Sequence, residues 1–561
     1  LALQCASILG LEFTFGMIEM FDVIRDGLSG HLHALRTMKY IREQPESGGM
    51  RYSFIHGMFR DVVYSTISDE QKRRLHASLA RRIEEVCADS LTEQYELLAF
   101  HFSKGGEAQK AAEYLGRAAE RQAGLGDASH AAQNFAEAIE LLRGLPASRS
   151  NQGLMAHLLL RAGSLHISLG NGDQAEEMIG GALELAESLA DPRLKIEGRL
   201  EQATALIWHG KNDEAQAILE EILPETRRLD MQHVECTALN ALGVICWQKG
   251  DFENALLSFR NLAGLAGKIG LSQTEADAFN NAGLIYWRWG QHSQALKAYK
   301  RALPLRKKAG DNFGLCAVLL NIGIIQEQMG EIGAARKSYE KAYELADKTG
   351  YLRGLAALES TLSNLERRVG TLAAAMEHAL RAVEYSQSAR DPNLEALGEE
   401  NIGMAREASG EHTEARRHHE RALELAREQE NLEREVSARM SLLEITLNEG
   451  NIRYEDEWEC NELHQIIEMQ KYSDHMPRLY RLKGQILDIL NERNSRTARE
   501  FLELSRDIAR NTGNALDERD ALRALIAYAV RHRLIEEADR WQTERVQLEQ
   551  GIFSSRDSEN G

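Results

Sequence analysis

From about Leu154 to Gly450 the apolar residues recur at three- and four-residue spacing, in blocks of helix length. Glycines punctuate these blocks at one interval. Gly170, Gly210, Gly250, Gly290, Gly330, Gly370, Gly410 and Gly450 each stand 40 residues from the last. A fixed period of this size marks a stacked-repeat architecture. Five residues after the glycine comes an alanine: Ala175, Ala215, Ala255, Ala295, Ala335, Ala375 and Ala415. Twelve after come Ala182, Ile222, Leu262, Ala302, Ala342, Ala382 and Ala422. Seven before come Gly163, Ala203, Gly243, Gly283, Gly323, Ser363 and Gly403. Small residues at these offsets let two helices approach closely, and the glycine ends the first helix by taking φ > 0. The unit is helix A, glycine turn, helix B, as residues 280–310 show. The pattern predicts an all-α fold, a right-handed solenoid of helix pairs.

The flanks depart from this rhythm. Residues 1–90 read as helices, a short polar turn at Gln44–Gly49, an extended stretch Met50–His56, and two more helices. Residues 91–145 are a lead-in, with Gly106 and Gly126 in the turn role and one helix serving both turns. The run 144–153 breaks the pattern and is the expected hinge. The main array spans 151–450. Residues 451–550 are degenerate capping repeats, with turns expected near Arg493 and Arg533 and Ala498 and Ala538 in the later alanine role. Residues 551–561 are expected to be a disordered tail.

The small residue before the turn, the turn glycine and the two later alanines resemble the tetratricopeptide repeat (TPR), lengthened from its usual period of about 34 residues. In residues 1–145, "ASILGLEFTF", "YSFIHGMFRDVVY" and "RRLHASLARRIEEV" resemble the winged-helix segment that closes the ATPase core of STAND-type signalling ATPases. Maltose-regulator-like activators and ATPase-linked nucleotide cyclases share that organisation. The resemblance implies a sensor or regulatory arm attached to an upstream nucleotide-binding domain, and the chain, which starts at Leu1, reads as the C-terminal part of something longer. In that family a histidine of the helix beside the wing touches the β-phosphate of bound nucleotide. His56 falls at that position, although Gly57 replaces the acid that follows it in the relatives.

Composition removes several functions. The net charge of −19 argues against nucleic acid, which needs a basic face. The basic residues around Arg60–Arg82 are interleaved with acids, as on a salt-bridged helix surface. The six cysteines form no CxxC pair or Cys/His cluster and read as buried small hydrophobes in a reducing, cytoplasmic setting. No run reaches the ~18 apolar residues of a membrane helix. There is no GxxxxGK[ST] loop, GxSxG or HExxH, so neither an enzyme nor a cofactor is expected in this chain. The adjacent His418 and His419 point to different helix faces and are not expected to hold a metal.

The candidate site is a groove lined by the A helices. Nine residues before the turn glycine stand Asn281, Asn321 and Asn401; ten before stand Asn240 and Asn280. An asparagine amide donates and accepts, so it can pair with the backbone of an extended peptide. Asparagine is a mediocre helix former, so its recurrence in mid-helix suggests another use. Trp208, Trp247 and Trp287, two or three before the turn, would place aromatic surface in the same trough. The neighbours of Asn321 lack the lysines and arginine of a TPR carboxylate clamp. The expected partner is therefore a protein or peptide segment. A small-molecule sensor and the regulatory region of a cyclase or kinase are the alternatives.

Overall fold

The computed structural model describes residues 1–46, 49–490 and 495–553. The centre of the expected turn at Gln44–Gly49, the expected turn near Arg493 and the tail from 554 onward lie outside the described residues. The chain divides into two compact units, Leu1–Ala238 and Leu239–Gly561.

The first unit opens with the helix Ala2–Leu9 and strand β1 (Glu12–Thr14). Three short helices follow, Phe15–Glu19, Asp22–Arg25 and Leu28–Thr37, and then the antiparallel strands β2 (Ile41–Glu46) and β3 (Gly49–Phe54). The sheet order is β1-β3-β2, with Phe13 opposite Tyr52. The extended stretch foreseen from Met50 is β3. β1 went unforeseen, because three residues are too few to show a two-residue alternation. Phe13, Tyr52 and Phe54 bury against Cys5, Ile8, Ile18 and Leu32. The same core continues through Phe102, Phe135 and Leu142 to Ala156, Leu159 and Ala182.

The break foreseen at 144–153 is shorter than expected. Ser148 accepts from the Asn151 backbone N–H and caps a helix that begins at Arg149. Leu145 on one side of the break and Leu154 and Met155 on the other pack on the common core, so packing continues across the loop.

In the second unit the helix pairs follow the 40-residue ladder. Each glycine seven before the turn makes room for a ring nine after it. A Cβ on Gly283 would stand 2.6 Å from the Tyr299 ring, and one on Gly323 would stand 2.3 Å from the Tyr339 ring. Tyr299 and Tyr339 are among the largest fully buried side chains. At Gly403 the ring is that of His419. The A helix Asn312–Gln328 packs on the next A helix, Leu352–Val369, and the series continues through Pro392–Ala408, Leu432–Asn448, Met476–Leu490 and Ala515–Arg531. From Asn312–Gln328 onward the A helices therefore form one continuous packed row.

The ladder has a half-step that the glycines alone do not reveal. Turn glycines take the left-handed conformation, as at Gly290 (φ 67°). So do the residues midway between them. Gly310 (φ 68°) and Gly350 (φ 64°) do this without strain, but Arg390 and Glu430 sit at φ 52°. A side chain in that region costs about 1–2 kcal/mol, part of which glycine returns as unfolded-chain entropy. Arg390→Gly is expected to stabilise the protein by about 0.5–1 kcal/mol in urea unfolding. A loss of stability would contradict this reading of the turn.

The second unit also closes on itself. Lys471 Nζ donates to the Gly250 carbonyl, 2.5 Å away and 221 residues earlier in the chain. Thr512 packs on Gly290, and Ile552 and Ala515 pack on Gly330. Lys471, Thr512 and Ile552 thus each join a turn that ends an A helix to the opposite edge of the ribbon about 220 residues on. The ribbon thus stacks edge on edge after about five and a half periods.

Candidate functional site

Position nine before the glycine in one A helix faces position ten before in the preceding A helix, 41 residues back. Asn321 Nδ2 donates to Asn280 Oδ1 at 3.2 Å. The Asn280 amide in turn lies 3.5 Å from Asn281 Oδ1. Asn240, Asn280, Asn281 and Asn321 are all half-buried. An amide has two donor hydrogens and two acceptor lone pairs, so the Asn280–Asn321 bond leaves capacity on both side chains.

Asn401 is different, and the groove-facing role expected for it does not hold. It is 2% exposed, and its Nδ2 donates to the Ser360 carbonyl at 2.9 Å. The cause is the residue 41 back. Where Asn321 meets the long side chain of Asn280, Asn401 meets the short Ser360, and its amide reaches past it to the backbone. Asn401 fixes repeat packing.

The tryptophans are largely engaged. Trp287 Nε1 donates to Gln328 Oε1 at 2.8 Å, and the Arg288 guanidinium stands 5.3 Å from its ring. Trp247 rests at 5.1 Å against Phe252. Trp208 is 59% exposed and belongs to the first unit. Gln328, two residues before Gly330, was not foreseen. Only its 41-residue offset from Trp287 signals it.

The contacts between distant repeats carry charge. Arg288 bonds Asp474 at 2.5 Å and Glu433 at 2.8 Å. Burial pushes the Glu433 carboxyl up, but His475 and Arg288 outweigh it and hold it at about 2. Glu433, Asp474 and His475 gather their ligand atoms within 4.8 Å of one another, and Arg288 already neutralises two of them. Further along, Arg367 bonds Asn364 at 2.7 Å and Arg368 pairs with Asp517 at 3.1 Å. Burial, together with Arg368, lowers Arg367 to about 10. Glu327 accepts from the Tyr339 hydroxyl at 2.9 Å, and burial raises its carboxyl above the usual range.

His56 sits in the first unit as the residue before the helix Gly57–Ser65, exposed and without a side-chain capping bond. Within the helix His412–Glu428 the two histidines of "RRHHE" diverge: His418 Nδ1 lies 2.6 Å from Glu399, while His419 is buried against Gly403. Among the described residues the cysteines form no disulfide, and all but Cys87 are buried. Burial pushes the Cys5 and Cys460 thiols up to about 12. Among the described residues no helix is long and apolar enough to cross a membrane.

These helix pairs define a solenoid of tetratricopeptide-like repeats. A tetratricopeptide repeat model matches residues 274–348, and a second matches residues 400–433. No curated protein matches the chain in sequence. Among solved structures, the chain is similar to a Signal Transduction ATPase with Numerous Domains (STAND) protein with a tetratricopeptide repeat sensor from Pyrococcus horikoshii. That match has 14% identity and a TM-score of 0.44 over 71% of this chain, and it takes in 64% of that protein, less than two thirds of its length. It is also similar to a Rap protein complexed with Competence and Sporulation Factor, at 15% identity and TM-score 0.41 over 71% of this chain and 99% of that one. The quorum sensor NprR from B. thuringiensis matches at 14% identity and TM-score 0.41, over 70% of this chain and 97% of its own.

Proposed function

We propose that this chain is a non-catalytic scaffold that holds an extended peptide or protein segment along the A helices of its second unit. One observation carries the reading: Asn280, Asn281 and Asn321 form a half-buried run of amides across two successive A helices, each with hydrogen-bonding capacity to spare. Such a run pairs with peptide backbone whatever the side chains, and leaves sequence preference to the surrounding pockets. Trp247 and Trp287, each resting on a neighbour, serve as rigid walls of that trough.

The first ninety residues act as a winged-helix-like coupling segment in this proposal. Support comes from the order of helices, β1 and the β2–β3 hairpin, with β1 on the outer edge of β3. In a STAND-like parent the segment would report groove occupancy to an upstream nucleotide-binding domain, with exposed His56 available to a phosphate. Occupancy can shift such a switch only as far as it favours one arrangement over the other.

Selection of random peptides against the full chain, repeated with Asn281→Ala/Asn321→Ala, tests the groove. Each lost amide–backbone bond is worth about 1 kcal/mol, so affinity for enriched peptides is expected to fall about tenfold or more. Equal binding by both proteins would remove the groove from the account.

A further inference from the structure

The repeat that follows Gly450 breaks the packing rule of its predecessors. Five and twelve residues after the turn glycine, Ala375, Ala382, Ala415 and Ala422 are buried against the partner helix. At the same offsets from Gly450 stand Glu455 and Glu462. Two carboxylates cannot replace two methyl groups in a close helix contact, because burying unpaired charge costs several kcal/mol. The helix Tyr454–Gln470 instead buries Cys460, Leu463 and Ile467 in a core that includes Val436, Met440 and Leu443 of Leu432–Asn448. Its glutamate-bearing edge borders an open cleft of about 570 Å³ beside Leu432–Asn448.

The walls of the cleft are chemically uneven. Leu423, Leu442 and Leu443 give it an apolar lining. Glu435, Glu455, Asp456, Glu459 and Glu462 also line it, against only Arg427 and Arg439. Arg439 bonds Glu459 at 2.5 Å and Glu462 at 3.1 Å, and so bridges the two helices. Arg427 takes Glu435 at 3.1 Å. Glu455 is exposed at the mouth. Beside it on the same helix, Trp458 is 81% exposed and Tyr454 is 65% exposed.

We propose that this cleft is a second interaction site, separate from the A-helix groove, which takes a segment of a partner protein carrying lysine or arginine next to an apolar side chain. Carboxylates in excess on one wall, leucines beneath and an aromatic lip outside match that chemistry. An apolar side chain meets the leucines, a cationic head meets Glu455 and its neighbours, and its stem covers Trp458. A cleft of this volume is in the range that admits one or two long side chains.

The test uses the full chain and a fluorescein-labelled synthetic peptide of alternating lysine, arginine and leucine, with a glutamate-for-cation version as the control probe. Anisotropy is expected to show binding of the cationic peptide alone. Glu455→Lys is expected to weaken it about tenfold, as reversal of a rim charge can. Glu384→Lys, which places the same change on an exposed helix elsewhere, is expected to leave it unchanged. The Asn281→Ala/Asn321→Ala protein is expected to bind like the parent, which separates this site from the groove. Equal weakening by both lysine variants would show attraction to net charge alone and overturn the proposal. So would absence of binding, or a change in oligomeric state on Glu455→Lys without peptide, which would make the cleft a contact between copies of this chain.

Discussion

Gly323→Ala is expected to destabilise the protein by about 2 kcal/mol, although alanine is the better helix former by about 1 kcal/mol. The added methyl would lie 2.3 Å from the ring of Tyr339. That ring cannot move aside: it is fully buried, and its hydroxyl is bonded to Glu327. Steric cost therefore outweighs propensity. Gly180→Ala makes the opposite case. Gly180 is exposed in mid-helix with no atom within 4 Å of the new Cβ, and the change is expected to gain about 0.5–1 kcal/mol. Unfolding midpoints of the two variants against the parent check both signs at once. A stabilised Gly323→Ala would mean that glycine here serves no packing purpose.

Arg288→Met is expected to have the second large effect. It removes the partner of Glu433 and Asp474, whose side chains are 38% and 23% exposed. Breaking a fully buried pair costs about 3–5 kcal/mol; with water reaching both acids the expected loss is nearer 2 kcal/mol. The pH dependence has a definite sign. Glu433 ionises at about 2 in the folded protein, below its value in the unfolded chain. Its contribution is fully present above pH ~4.3 and is lost as pH falls toward 2. In Arg288→Met that acid-induced loss shrinks, and Arg288→Met/Glu433→Gln recovers part of the stability. Urea unfolding at pH 7 and pH 3 measures the difference. An unchanged pH profile would show that the pair contributes nothing.

The ladder of helix pairs could be read because glycine and alanine recur at fixed offsets, and each has one physical reason to be there. The half-step is marked only where a glycine stands, as at Gly310 and Gly350. Arg390 and Glu430 take the left-handed conformation with nothing in their identity to announce it. Closure of the ribbon was equally hidden. It depends on small rotations accumulated over more than five repeats, and brings Lys471 to Gly250 without any local motif. Among the candidate groove residues, Asn321 bonds Asn280 one repeat earlier. Asn401 stands at the same offset yet is enclosed, because its fate is set by Ser360 one repeat earlier. Offsets within a repeat were legible, and pairings between repeats were not. The cleft beside Tyr454–Gln470 was half visible: the missing alanines marked a weakened repeat, but not that glutamates at the same offsets would open a site.

Hydrogen exchange of the full chain with and without a peptide enriched by selection tests the central claim most directly. Slowed exchange concentrated in the A helices Ser272–Arg288 and Asn312–Gln328, and absent in Asn281→Ala/Asn321→Ala, is the predicted result. Protection confined to the B helices, or none in either A helix despite saturating peptide, would contradict it.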